Sequence, residues 1–227
     1  MNISNETLEV LKNFSSINPN IVFEPGQKLK TISEAKNIMA IAETVEDFPE
    51  FGIYDLNEFL SVLNLIDSPS LAFETNLVNI ENATTGPGKT SVKYFFSDKE
   101  ILTTPQKDIT MPDAEFGIEL TADKLSQIRK AAAVLGHSEL SISGNDGIVK
   151  LSVLDTKDSS ANVFDMDLDA DNACKNEFNF IINIPNLKLL EGDYYVTISS
   201  KLISQWSNSN YPITYFIALE KSSNFHV

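Results

Sequence analysis

Apolar residues recur along this chain at two spacings, three-to-four and two, and each spacing marks out a type of element. After Ser4, a residue type suited to capping a helix start, Leu8, Leu11 and Phe14 fall at helical spacing. Asp55, with Glu58 three residues on, forms a capping-box-like start, and Phe59, Leu60 and Leu63 supply its apolar side. A third helix is predicted from Thr121 through Leu125, Ile128, Ala132 and Leu135 to Gly136, a suitable C-terminal stop. A short fourth helix is predicted from Asn183 to Leu190, with Pro185 in its first turn and Gly192 past its end.

Almost everything else reads as strand. Ile21–Phe23 and Lys28–Ile32 flank the turn pair Pro25-Gly26, and Ile38–Thr44, Leu71–Glu74, Leu77–Ile80 and Ser91–Phe96 follow with breakers between them. In the second half, Glu139–Ser143 and Ile148–Leu154 flank Asn145-Asp146-Gly147, a hairpin signal. Further strands are predicted at Val163–Leu168, Glu177–Ile182, Tyr194–Ser199 and Ile213–Leu219. The halves repeat one order: helix, hairpin, strands, a strand running into a helix, strands. Ile53-Tyr54-Asp55-Leu56 and Ile181-Ile182-Asn183-Ile184 both end an apolar strand on an Asx cap. A polar stretch, Ser97 to Asp113, carries Pro105 and Pro112 between the halves. The expected organisation is therefore two similar α+β domains, 1–104 and 114–227, joined by a connector at 105–113.

Composition narrows the function. No apolar run reaches the roughly 18 residues a membrane span needs, and Glu6 and Glu9 with no basic cluster speak against a secretory signal. Without export, the glycosylation-type matches at Asn2, Asn5, Asn13 and Asn82 carry no meaning. One cysteine, Cys174, excludes an internal disulfide and suits a reducing compartment. A net charge of −15, from 17 basic against 32 acidic residues, argues against gripping nucleic acid by bulk electrostatics. Where the few cations sit thus matters more than their number.

Three motifs imitate catalytic or metal chemistry. Ala83-Thr84-Thr85-Gly86-Pro87-Gly88-Lys89-Thr90 fits a permissive phosphate-binding loop, but that chemistry needs a following helix, and Val92, Tyr94 and Phe96 alternate as in a strand. Asp165, Asp167, Asp169 and Asp171 resemble a calcium loop, yet the sixth position is Ala170 and the twelfth Asn176, where the template requires Gly and Glu. A strand with an acidic outer face leading into an acidic loop accounts for the pattern. Cys174 with His137 is a conceivable nucleophile pair, but Cys174 sits in a polar loop, and neither His137 nor His226 reads as buried or oriented. No active site, cofactor or metal is expected.

The only arginine, Arg129, lies on the third helix beside Lys130, with Lys124 a turn and a half earlier. Lys130 points away from the apolar stripe, and Lys124 and Arg129 flank it. Lys12 falls on the exposed side of the first helix and Lys188 on the predicted fourth, whereas the second helix has no basic residue. Solvated helix faces often carry lysines, so this pattern alone leaves a nucleic-acid role open.

Leu11-Lys12-Asn13-Phe14 with Ile17-Asn18, and Ile53-Tyr54-Asp55-Leu56-Asn57 with Phe59-Leu60, resemble the sliding clamps of T-even-type bacteriophages. So do Phe178-Asn179-Phe180-Ile181-Ile182-Asn183, then Asn186-x-Lys188, Gly192-x-Tyr194 and Ala218-Leu219-Glu220. The resemblance spans the chain in order, with Leu71 to Asp108 and the last residues matching poorly. It implies a DNA-clamp fold, α+β, with two helices per domain packed on antiparallel sheet. It further implies a head-to-tail homotrimeric ring around duplex DNA in the cytoplasm of the infected host, opened by a clamp-loader ATPase and bound by the replicative polymerase. Carried over by position, Lys12, Lys124, Arg129, Lys130 and Lys188 would face the DNA. Acidity is then no objection, because a topological tether needs little affinity for phosphate. The competing reading is a phage structural or adaptor protein, a β-rich oligomer with no DNA at its centre.

Overall fold

A helix that starts at a surface turn must find partners for its first N–H groups, and here Ser4 supplies one: its hydroxyl accepts the Thr7 amide at 3.2 Å. The computed structural model describes residues 1–84, 86–145, 147–168 and 176–226. The chain divides into two units, Met1–Asp108 with Tyr211–Ile213, and Ile109–Asn210 with Thr214–Val227.

The first unit holds α1 (Asn5–Ile17), β1 (Ile21–Phe23), β2 (Gly26–Ile32), β3 (Ile38–Phe48), β4 (Phe51–Ile53), α2 (Leu56–Leu65), β5 (Ser70–Phe73), β6 (Leu77–Glu81) and β7 (Ser91–Phe95). β1 and β2 do not pair across Pro25-Gly26; β1 pairs antiparallel with β4, and β2 with β3. β5, β6 and β7 form an antiparallel sheet in that order. The Asp55 carboxylate caps α2 by accepting the Asn57 and Glu58 amides. Apolar residues at 3–4 spacing bury one side of each helix, and α1 lies against α2 and β3. Phe23 stacks on Phe51 with ring centroids 4.1 Å apart, and Phe48, Phe73 and Phe96 complete an aromatic core.

Glu46 on β3 is buried, and its carboxylate accepts the Ser4 amide and the Thr7 hydroxyl, each at 2.5 Å. Burial alone would raise its pKa, but these hydrogen bonds to the charged form outweigh it and the net shift is downward. The start of α1 is thus anchored to the sheet. The polar stretch near residue 105 is fastened to the first unit as well. Asn18 donates to the Thr103 carbonyl at 2.9 Å, Asn20 accepts the Thr103 amide at 3.1 Å, and Lys30 pairs with Asp108 at 2.8 Å.

The second unit holds β8 (Phe116–Leu120), α3 (Ala122–Leu135), β9 (Glu139–Asn145), β10 (Ile148–Leu154), β11 (Phe164–Leu168), β12 (Phe178–Asn183), β13 (Tyr194–Ser199), β14 (Ile203–Asn208), β15 (Ile213–Ala218) and β16 (Asn224–Phe225). One antiparallel sheet runs β11-β10-β9-β12-β16, and β15-β14-β13-β8 run in order in another. β9 and β10 form the hairpin the Asn-Asp-Gly signal predicts. Gly136 closes α3 in the left-handed conformation at φ 72°, and its amide donates to Ala132. Gly144 lies opposite Phe178, whose buried ring occupies the space a methyl group there would need.

The predicted fourth helix is not an α-helix. Asn183 makes no side-chain capping bond, and only a 3-10 turn forms, at Ile184–Asn186. The Ile184 amide is committed to the Ser138 carbonyl at 2.7 Å, and Leu187 leaves the helical region at ψ 55°. Beyond the turn, buried Leu187 and Leu189 alternate with exposed Lys188, a period of two rather than 3.6. Lys188 therefore sits on an irregular segment and not on a helix. Among the described residues there are three α-helices.

Candidate nucleic-acid interface

α3 carries the densest group of cations because its other side is committed to the core: Leu125, Ile128 and Ala132 are buried. Arg129 and Lys130 are exposed and Lys124 is half-exposed. Two groups fix where the helix starts. Thr121 accepts the Lys124 amide at 3.4 Å, and Asp193, far off in sequence, accepts the Ala122 amide at 2.7 Å. An anionic group at a helix N-terminus is also favoured by the helix dipole.

The Arg129 guanidinium donates to the Leu187 carbonyl at 3.1 Å. That contact sets α3 beside the segment bearing Lys188, so Lys124, Arg129, Lys130 and Lys188 all belong to one region of the second unit. A groove of about 290 Å³ runs along it, lined by Ser126, Arg129, Lys130, Leu190 and Glu191 among others. Lys12, in the first unit, is exposed on α1 and pairs with Glu9 at 2.7 Å. Lys12, Lys124, Arg129 and Lys130 lie on the helices predicted for them and Lys188 does not; the sequence missed Asp193, whose only sign is an acid following Gly192.

The described parts of the imitated motifs take part in turns, strands and ordinary polar contacts. β7 follows Lys89 and Thr90, and Gly86 and Gly88 have φ of 87° and 96°, so the glycines serve a turn between strands. Lys89 pairs with Glu81 at 2.6 Å. Asp165 accepts the Ser152 hydroxyl at 2.6 Å, and Asp167 lies 3.9 Å from Lys150. Asp169, Ala170, Asp171 and Cys174 lie outside the described residues. His137 is oriented after all: a ring nitrogen lies 2.7 Å from the Asn162 carbonyl and ties two loops together.

The fold is that of the DNA clamps. PCNA from Thermococcus kodakaraensis superposes with a TM-score of 0.68 at 14% identity, over 95% of this chain and 96% of that one. Residues 117–221 match the family model described as gp45 sliding clamp, C terminal. The sliding clamp of Vibrio phage KVP40 is 32% identical over 97% of this chain and 99% of its own length. That of Escherichia phage RB69 is 30% identical over 98% of each. The chain belongs to the sliding clamp family of T4-like phages. It is accordingly a DNA sliding clamp, a processivity factor of phage DNA replication, and the reading as a structural or adaptor protein is not favoured. Membership in the family implies interaction with DNA and a DNA polymerase, and assembly into an oligomer.

Proposed function

We propose that three copies close head to tail into a ring around duplex DNA, that a clamp-loader ATPase opens it, and that it tethers the replicative polymerase in the cytoplasm of the infected host. In this reading residues 1–104 and 114–227 are the two clamp domains, 105–113 connects them, and Lys12, Lys124, Arg129, Lys130 and Lys188 face the DNA. The observation that carries it is the gathering of four of these five cations on one region of a unit in a chain of net charge −15. An acidic remainder discourages non-productive adhesion to nucleic acid, while a local basic lining balances phosphate where the duplex passes.

Head-to-tail closure is supported by the outer strands. β7 leaves Phe95 63% exposed, and β11 follows Val163, which is 54% exposed. Unpaired edges of this kind invite strand addition, and a closing contact removes them. Light scattering at micromolar concentration is the test. The subunit is 25.2 kDa, and the particle is expected at about three times that mass, falling on dilution. A strictly monomeric or dimeric particle would sink the proposal.

The clamp works without chemistry of its own in this reading. The Gly86–Lys89 turn leads into a strand, so no helix N-terminus faces a phosphate there. Purified protein is expected to turn over no ATP, and Lys89→Ala to leave folding and polymerase stimulation nearly unchanged. ATP turnover abolished by that substitution would overturn this view.

A further inference from the structure

The segment bearing Lys188 has neither a helix nor a sheet ladder to hold its backbone, and three side chains from other elements do so instead. The Tyr215 hydroxyl on β15 accepts the Leu190 amide at 3.1 Å. The Tyr194 hydroxyl on β13 donates to the Leu190 carbonyl at 2.7 Å. Arg129 on α3 donates to the Leu187 carbonyl at 3.1 Å. Both peptide groups of Leu190 and the carbonyl of Leu187 are thereby held, with Lys188 between them. Leu187 and Leu189 face the core, so Lys188 is turned outward.

The two phenols are well placed for this. Tyr194 and Tyr215 are fully buried, their rings meet edge to face at 6.2 Å, and Tyr194 packs likewise on Trp206. Side chains locked by such packing hold their hydroxyls at fixed points. Burial pushes the Tyr194 phenol up to about 12 and raises that of Tyr215 further, so both keep their protons across the physiological range. Tyr194 therefore remains a donor to the Leu190 carbonyl.

We propose that Arg129, Tyr194 and Tyr215 are positioning residues that hold residues 187–190 so that Lys188 is presented beside α3, and that Arg129 serves the DNA in part through this strut. The proposal rests on the reading of Lys188 as DNA-facing. It departs from treating Arg129 only as one more phosphate contact, because one of its five guanidinium donors is committed to a backbone carbonyl.

The test uses the full-length protein. Tyr194→Phe/Tyr215→Phe keeps both rings and removes both hydroxyls, and Tyr215→Phe alone is the milder variant should the pair melt early. Hydrogen exchange in a peptide covering residues 187–192 is expected to rise about tenfold, as the loss of one or two hydrogen bonds allows, with β9 and β10 unchanged. In loader-dependent synthesis, Lys188→Ala is expected to shorten polymerase products. Tyr194→Phe/Tyr215→Phe should shorten them in the parent but add little on top of Lys188→Ala, and Arg129→Ala, which also removes a charge, should add less than its full effect. Unchanged exchange at 187–192, losses that add fully to Lys188→Ala, or full activity of the tyrosine and arginine variants beside a defective Lys188→Ala would each overturn the positioning role. Lys188→Ala with full activity would instead overturn the DNA-facing reading of Lys188, leaving the exchange measurement to judge the strut.

Discussion

Clamp loaded onto a closed circular plasmid is expected to stay there in moderate salt, and a single cut in the plasmid should release it. The reason lies in the charge. Affinity for duplex DNA that comes from counterion release grows with the number of phosphates neutralised, at a slope of about 0.9 in log K per phosphate against log salt. This chain offers few cations for that purpose. Lys12 is paired with Glu9, one donor of Arg129 is committed to Leu187, and the whole chain carries −15. Direct binding should therefore be weak, with phosphates met loosely and through water, and in the proposed ring retention is expected to come from closure. Free ends defeat a topological tether and leave an electrostatic one intact. Lys124→Ala/Lys130→Ala should spare oligomer formation, since neither residue belongs to the buried stripe, while lowering loading and processivity. Equal loss from circular and linear DNA, or tight salt-sensitive binding without a loader, would refute the clamp mechanism for this chain.

Glu46→Gln should destabilise the protein by about 1.5–3 kcal/mol at neutral pH, the range for hydrogen bonds to a charged group. The carboxylate accepts both the Ser4 amide and the Thr7 hydroxyl, and a carboxamide presents one acceptor and one donor to the same pair. Glu46 has a lowered folded-state pKa, so its stabilisation is present above the unfolded carboxylate value of about 4.3. It is lost as pH falls through the lower folded value. The difference in denaturation midpoint between parent and variant should be constant from pH 7 to about pH 5 and shrink below it. A gap that persists at the acid end would assign the effect to packing and not to the charge. Because Ser4 and Thr7 begin α1, the variant should also loosen the element that carries Lys12.

The sequence was most legible where one local signal decided the structure. Ser4, Asp55 and Thr121 cap helices where their spacing to apolar residues says they should, and Gly136 ends α3. Asn145 and Gly147 mark the β9–β10 hairpin. It was less legible where a strand's inward positions are polar. β14 was missed because Ser204 fills one of them, and that hydroxyl is satisfied inside the fold by the Ile217 carbonyl and the Trp206 ring N–H. The segment after Asn183 was misread because an Asx residue, a proline and a later glycine imitate a helix frame.

By itself, then, the sequence indicated an α+β chain, a calcium-like motif without the Gly and Glu its chemistry needs, a nucleotide-like motif with no helix after it, and a few helix-borne cations as the residues to follow. Those are properties of composition and short-range spacing, which local sterics and hydrogen bonding decide. Only the tertiary structure decided that residues 187–190 are irregular, that Arg129 is joined to them, that Asp193 accepts the first amide of α3, and that Tyr194 and Tyr215 bond to Leu190. All but the Tyr194–Leu190 bond join residues 25 to 71 positions apart. Partners at such separations are chosen by how sheets and helices pack, so no window of sequence contains them.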